Sequence, residues 1–164
     1  MTRYTREEKY MSEAIKQAGR AARAGEVPIG CVIVMNDKII GRGYNRRMSD
    51  KSALAHAEII AIRRACREAG DWRLDGAEMY VTLEPCQMCS GAIIQSRIRK
   101  LYIGAMNPKA GFAGSLMNMF EVAGMNHYVE VSYGILGEKC SVLLKEFFAQ
   151  LREKKKSENP IEND

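Results

Sequence analysis

Two short segments carry the residue types that do chemistry: His56-Ala57-Glu58 and Pro85-Cys86-Gln87-Met88-Cys89. Each opens a stretch with helical patterning. In a Cys-x-x-Cys at a helix start, both sulfurs can converge on one point. The positive end of the helix and its free N–H groups favour thiolate, the form that binds metal. Zn²⁺ takes four ligands of Cys or His type, and a catalytic site keeps one of the four positions open for water. His56, Cys86 and Cys89 would fill three. Such a site lowers the pKa of a bound water and yields a nucleophile near neutral pH. Glu58 lies two residues after His56, not the four that would place two ligands on one helix face. It is therefore expected to flank the metal and carry protons, which a leaving amine requires.

Other readings of the same residues are a redox pair and a structural zinc site. A redox pair leaves His56 and Glu58 unexplained. A structural site needs a fourth protein ligand, for which Cys31, Cys66, Cys140 and His127 are the candidates, and there is no second Cys-x-x-Cys. Cys31, Cys66 and Cys140 read as small core residues. Met117, Met119 and Met125 read as packing residues of the core or a dimer contact. Asn45 taken alone reads as a turn former.

The elements that must position these segments follow from periodicity. Residues 5–24 have apolar positions at helical spacing, a capping box in Thr5-Arg6-Glu7-Glu8 and a stop at Gly25. Residues 29–35 and 38–44 read as a hairpin across Asn36-Asp37, and residues 42–52 as polar and loop-like. A helix is expected over 55–69 with Gly70 ending it, then a buried strand over 77–83, broken by Glu84-Pro85. A helix over 86–95, a strand over 100–104, a loop over 107–118, a strand over 129–133 and a helix from 138 to about 154 complete the order. Val142, Leu143, Phe147 and Leu151 would form the apolar face of that last helix. The order implies a layered α/β domain with helices on both faces of a central sheet. One domain is expected over 1–153, followed by a charged, disordered tail over 154–164.

The chain has 164 residues, 46% hydrophobic and 27% charged, enough for one substantial core. No apolar run approaches the ~20 residues of a membrane span, and the charged N-terminus lacks the apolar segment of a secretory signal. A cytoplasmic location with no membrane partner is expected. A net charge of +5 biases the protein toward anionic partners such as nucleic acid. A deaminase of free cytosine, guanine or a small nucleoside and a non-catalytic, zinc-stabilised RNA-binding module are the alternatives, and Glu58 argues against the module.

The two chemistry-bearing segments match the zinc nucleoside and nucleobase deaminase signature. Together with Glu26-Val27-Pro28-Ile29-Gly30, Tyr80-Val81-Thr82-Leu83-Glu84-Pro85-Cys86, Gly114-Ser115-Leu116-Met117-Asn118 and Met125-Asn126-His127, the chain resembles the bacterial tRNA-specific adenosine deaminases over residues 8–152. The resemblance implies a three-layer α-β-α cytidine-deaminase-like fold with a mixed sheet of about five strands. It implies a homodimer with one Zn²⁺ per subunit. It further implies deamination of the wobble adenosine to inosine in the anticodon stem-loop of an arginine tRNA, a zinc hydroxide attacking C6. By that likeness His56, Cys86 and Cys89 are the metal ligands and Glu58 is catalytic. Asn45 contacts the target nucleotide, Val27, Pro28 and Ala57 line the base pocket, and Asn126, His127, Phe148 and Arg152 contact RNA. Arg46, Arg47, Lys109, Arg152 and the lysines after it are expected to carry RNA affinity, with a solvated surface as the plain alternative for each.

Overall fold

The computed structural model describes residues 3–158. The elements run α1 (Arg6–Arg23), β1 (Gly30–Met35), β2 (Lys38–Tyr44), α2 (Ala57–Ala69), β3 (Glu78–Leu83), α3 (Gln87–Gln95), β4 (Lys100–Ala105), a 3₁₀ turn (Met119–Glu121), β5 (Glu130–Tyr133) and α4 (Gly137–Glu158). The sheet order is β2-β1-β3-β4-β5. β1 pairs antiparallel with both β2 and β3, while β3–β4 and β4–β5 are parallel. This is the mixed five-stranded sheet that the resemblance implied.

Strand alternation sorts the core into two layers. Cys31 and Ile33 of β1, Met79 and Val81 of β3, and Leu101 and Ile103 of β4 face α2 and α3. Val32, Val34, Tyr80 and Tyr102 face the other way, onto Met11 and Ala14 of α1 and Cys140 of α4. Tyr80 and Tyr102 stack with centroids 4.4 Å apart in that second layer. The result is three layers with helices on both sides of the sheet.

Local signals account for the boundaries. Thr5 caps α1 in a reciprocal box with Glu8. Asn36 and Asp37 both have positive φ, 50° and 58°, as a two-residue hairpin turn demands. Gly70 closes α2 in the left-handed region.

One close approach sets the position of α2. A Cβ on Gly43 would collide with the Ala57 carbonyl, and one on Gly41 with the Ala61 carbonyl. Ala57, Ala61 and Ala65 on the facing side are fully buried. Small residues on both surfaces let the helix lie almost directly on β2 and β1, which fixes the height of its first turn.

The last helix departs from expectation. It runs to Glu158 rather than stopping near residue 154, so the first five residues assigned to a disordered tail are helical. Residues 159–164 of that tail lie outside the described residues. Its expected apolar face is also only partly used. Cys140 is its one buried residue, packed under Gly104, while Val142 and Leu151 are exposed. The helix docks through its first turns, and its body overhangs the end of the sheet.

Candidate active site

The C-terminal ends of the parallel strands β3 and β4 open on one edge of the sheet, where ligands of α/β folds bind. The chain leaves β3 through Glu84-Pro85 into α3, and leaves β4 into the loop that begins at Met106. α2 starts at the same edge. His56 and Cys86 are the N-cap residues of α2 and α3, one position ahead of the helices proper. Both helix starts therefore aim their positive ends at one spot.

Three ligand atoms meet there. His56 Nδ1 lies 3.7 Å from Cys86 Sγ and 3.6 Å from Cys89 Sγ. The three lie within 4.8 Å of one another. A tetrahedral zinc with its usual Zn–S and Zn–N bond lengths has an N···S edge of about 3.6 Å. The donor set and its spacing both fit that ion.

Glu58 stands beside this triangle. It is buried, and its Oε2 lies 3.3 Å from Cys89 Sγ. Burial raises its pKa above the ordinary carboxylate value. His56 is raised by its hydrogen bond with Cys86, against the opposing effect of burial. Hydrogen bonding from the Cys89 thiol, then from His56, pulls Cys86 down to about 4 despite desolvation. Cys89 moves the other way, because it donates to Cys86, is buried and faces Glu58.

A cavity of about 660 Å³ opens over these groups, a size suited to a nucleoside. His56, Ala57, Glu58 and Cys86 form its floor. Val27, Ile29 and Asn45 line it, while Pro28 is buried and does not. Asn45 also shapes its own turn. Its side chain accepts from Arg47 N at 3.1 Å and donates to Val27 O at 3.2 Å.

The rim holds residues that periodicity could not assign. Leu144 and Lys145 of α4 join Phe148 there. The segment from Met106 to Ala110 forms the opposite wall, with Lys109 in it. Arg47 and Lys109 line the cavity, whereas Arg46 is held by Asp50 at 2.9 Å and by the Tyr44 hydroxyl at 2.9 Å. Asn126, His127 and Arg152 do not line this cavity. Asn126 and Arg152 are exposed elsewhere, and His127 Nε2 meets the Ile98 carbonyl at 2.7 Å.

Two buried carboxylates sustain the walls, and residue type alone does not set them apart from surface acids. Glu26 accepts from the backbone N–H of Met48 and of Ser49 and from the Ser49 hydroxyl. Glu84 accepts from Asn107 N at 2.9 Å, Ala113 N at 3.2 Å, Ser115 N at 2.9 Å and the Ser115 hydroxyl. The detectable signal was an acid placed between a buried strand and the Pro-Cys motif. The other cysteines are free: Cys31 and Cys140 are buried and Cys66 is half-buried. Met119 and Met125 pack against the core, while Met117 is exposed.

The MafB19-like deaminase family matches residues 5–152. A tRNA-specific adenosine deaminase of Bacillus subtilis (strain 168) is 50% identical over 153 residues, covering 93% of this chain and 95% of that protein. One from Haemophilus influenzae is 44% identical, covering 94% and 90%. Among solved structures, one from studies of A-to-I editing by tRNA:A34 deaminases superposes with a TM-score of 0.80 at 41% identity, covering 83% of this chain and 99% of that one. A guanine deaminase from Nitrosomonas europaea shares the fold with a TM-score of 0.75 at 25% identity, covering 87% and 84%. On its fold, its site and this likeness along nearly its whole length, the chain belongs to the family of tRNA-specific adenosine deaminases.

Proposed function

We propose that this protein hydrolyses the wobble adenosine of an arginine tRNA anticodon to inosine, with His56, Cys86 and Cys89 holding one zinc ion per subunit. The observation that carries the reading is the triangle of zinc-type ligands with Glu58 beside it, at the floor of a nucleoside-sized cavity rimmed by Arg47, Lys109 and Lys145. Zinc bound there supplies Lewis acidity, which makes a water nucleophilic near neutral pH.

The protein's own groups do the rest. Glu58 takes one proton from the attacking water and delivers it to N1 of the adenine, then carries the remaining hydroxyl proton to the amine, which leaves as ammonia when the C6–N bond breaks and the C6 carbonyl forms. Burial suits it to this, since a raised pKa makes the carboxylate a better proton acceptor. Val27, Ile29 and Ala57 supply apolar walls for the base, and Asn45, fixed by Arg47 N and Val27 O, lines the cavity where the nucleotide would sit. A base inside a duplex cannot enter a pocket this deep. An anticodon-loop base can be splayed into it. The cationic rim favours a polyanion over a free base, and Phe148 offers a stacking face at the mouth.

The reading includes a cytoplasmic homodimer. Leu54, Met117 and Val122 are large apolar side chains left exposed on one chain, as a partner surface requires. No described helix is long and apolar enough to cross a membrane.

The test is incubation of the purified protein with arginine tRNA and, separately, with free adenosine, guanine and cytosine. Inosine at the wobble position is expected. Conversion of a free base with none in the tRNA would overturn the reading.

A further inference from the structure

We infer that Glu84 is a positioning residue for RNA recognition: it holds the loop after β4 so that Lys109 and Asn107 form the substrate wall of the cavity. The inference rests on the tRNA reading above.

Glu84 sits at the hinge between the metal-binding helix and this loop. It follows β3 directly and precedes Pro85-Cys86. Its carboxylate is buried, 2% exposed, and has no cationic partner among the described residues. All four of its hydrogen bonds come from Asn107, Ala113 and Ser115. Oε2 takes Asn107 N and the Ser115 hydroxyl, and Oε1 takes Ala113 N and Ser115 N. Both oxygens are thus fully engaged by the loop. Glu84 gathers a loop whose two ends converge on one anion.

The loop is shaped to receive that anion. Gly111 passes so close that a Cβ there would strike the Glu84 carboxylate. Gly111 N reaches back to Asn107 O at 2.8 Å, and Phe112 N reaches Pro85 O at 2.9 Å. Residues 107–110 are thereby pressed outward as the cavity wall. Lys109, exposed on that wall, forms no salt bridge among the described residues and is available to a phosphate.

A neutral amide cannot replace the carboxylate. Gln keeps one acceptor oxygen, but its NH₂ would face two donors. Loss of hydrogen bonds to a charged acceptor loosens the loop while leaving the metal ligands and Glu58 in place.

The experiment is a double-mutant cycle on the zinc-loaded enzyme with an arginine anticodon stem-loop RNA. Wild type, Glu84→Gln, Lys109→Ala and the double variant are compared by KM, kcat, zinc content and Tm. Glu84→Gln is expected to raise KM about tenfold, with kcat within about twofold and zinc at one per chain. In the Lys109→Ala background the same change should raise KM by no more than about threefold, because the loop's cation is already gone. Full additivity, an unchanged KM, or loss of kcat and zinc without a KM effect would overturn the role. Should Glu84→Gln fail to fold, Ser115→Ala removes one of the four bonds at a half-buried position. A KM rise of about threefold for that variant supports the inference, and none overturns it. A wild type that makes no inosine sinks the tRNA reading itself, whereas an active wild type with additive variants sinks only the role of Glu84.

Discussion

Glu58 Oε2 lies 3.3 Å from Cys89 Sγ, so the candidate proton carrier touches the most deeply buried of the three candidate metal ligands. It stands next to the metal position without being one of the three ligands that converge there. Glu58→Gln should therefore leave zinc at about one per chain and cut kcat by about 10²–10⁴-fold. Metal analysis and single-turnover kinetics on the same preparation check this. Zinc loss in the variant would make Glu58 structural.

The two cysteines should differ chemically once metal is removed. Cys86 is pulled down to about 4 by Cys89 and His56, which favours its thiolate at mildly acidic pH. Cys89 is raised and stays protonated. At about pH 6, alkylation of chelator-treated protein should label Cys86 and spare Cys89. Peptide mapping reads the ratio, and equal labelling would contradict the arrangement.

Glu26 predicts a pH dependence of stability. Burial acts to raise its pKa, but the hydrogen bonds from Ser49 and Met48 outweigh that and hold it below the ordinary carboxylate value. A carboxylate with a depressed folded pKa contributes stability that is present above its unfolded pKa and disappears as pH falls through the folded one. Glu26→Gln should cost about 2 kcal/mol at neutral pH. The gap in Tm between wild type and variant should close as the pH is lowered through the carboxylate range. A gap that is constant with pH would show that charge is not the cause.

Gly43→Ala should be costly for a residue so far from the chemistry. The new methyl meets the Ala57 carbonyl at the first turn of α2, so the helix must lift and carry His56 and Glu58 with it. About 1–3 kcal/mol of stability should be lost, together with a fall in zinc occupancy. Gly19→Ala is the control. Its methyl meets only the end of the Arg23 side chain at 3.6 Å, and it should be neutral or stabilising by up to about 1 kcal/mol. Chemical denaturation and metal analysis separate the two.

The ligand triangle was legible in the sequence because it is written in residue types and short spacings. The strands and most helices were legible for the same local reason. Apolar periodicity and turn formers such as Asn36-Asp37 act within a few residues. The remainder depends on apposition of distant segments. Leu144 and Lys145 reach the cavity only because α4 overhangs the end of the sheet. Pro28 and Ile29 differ by one position in a strand entry, and backbone direction decided which of them faces the ligand. The extra turn of α4 exceeds its apolar pattern because, once nucleated, a helix continues through Lys- and Glu-rich sequence of good propensity. Glu26 and Glu84 look like ordinary acids until the loops that bury them are folded.

The meeting of two helix starts has a thermodynamic consequence. His56 belongs to one supersecondary unit and the two cysteines to another, so the ligand set exists only in the folded chain. A cation bound there acts as a clasp between α2 and α3, and its binding free energy is added to the folding equilibrium. With zinc held as proposed, the melting temperature should rise with free zinc concentration, and a chelator should lower the stability of the whole domain.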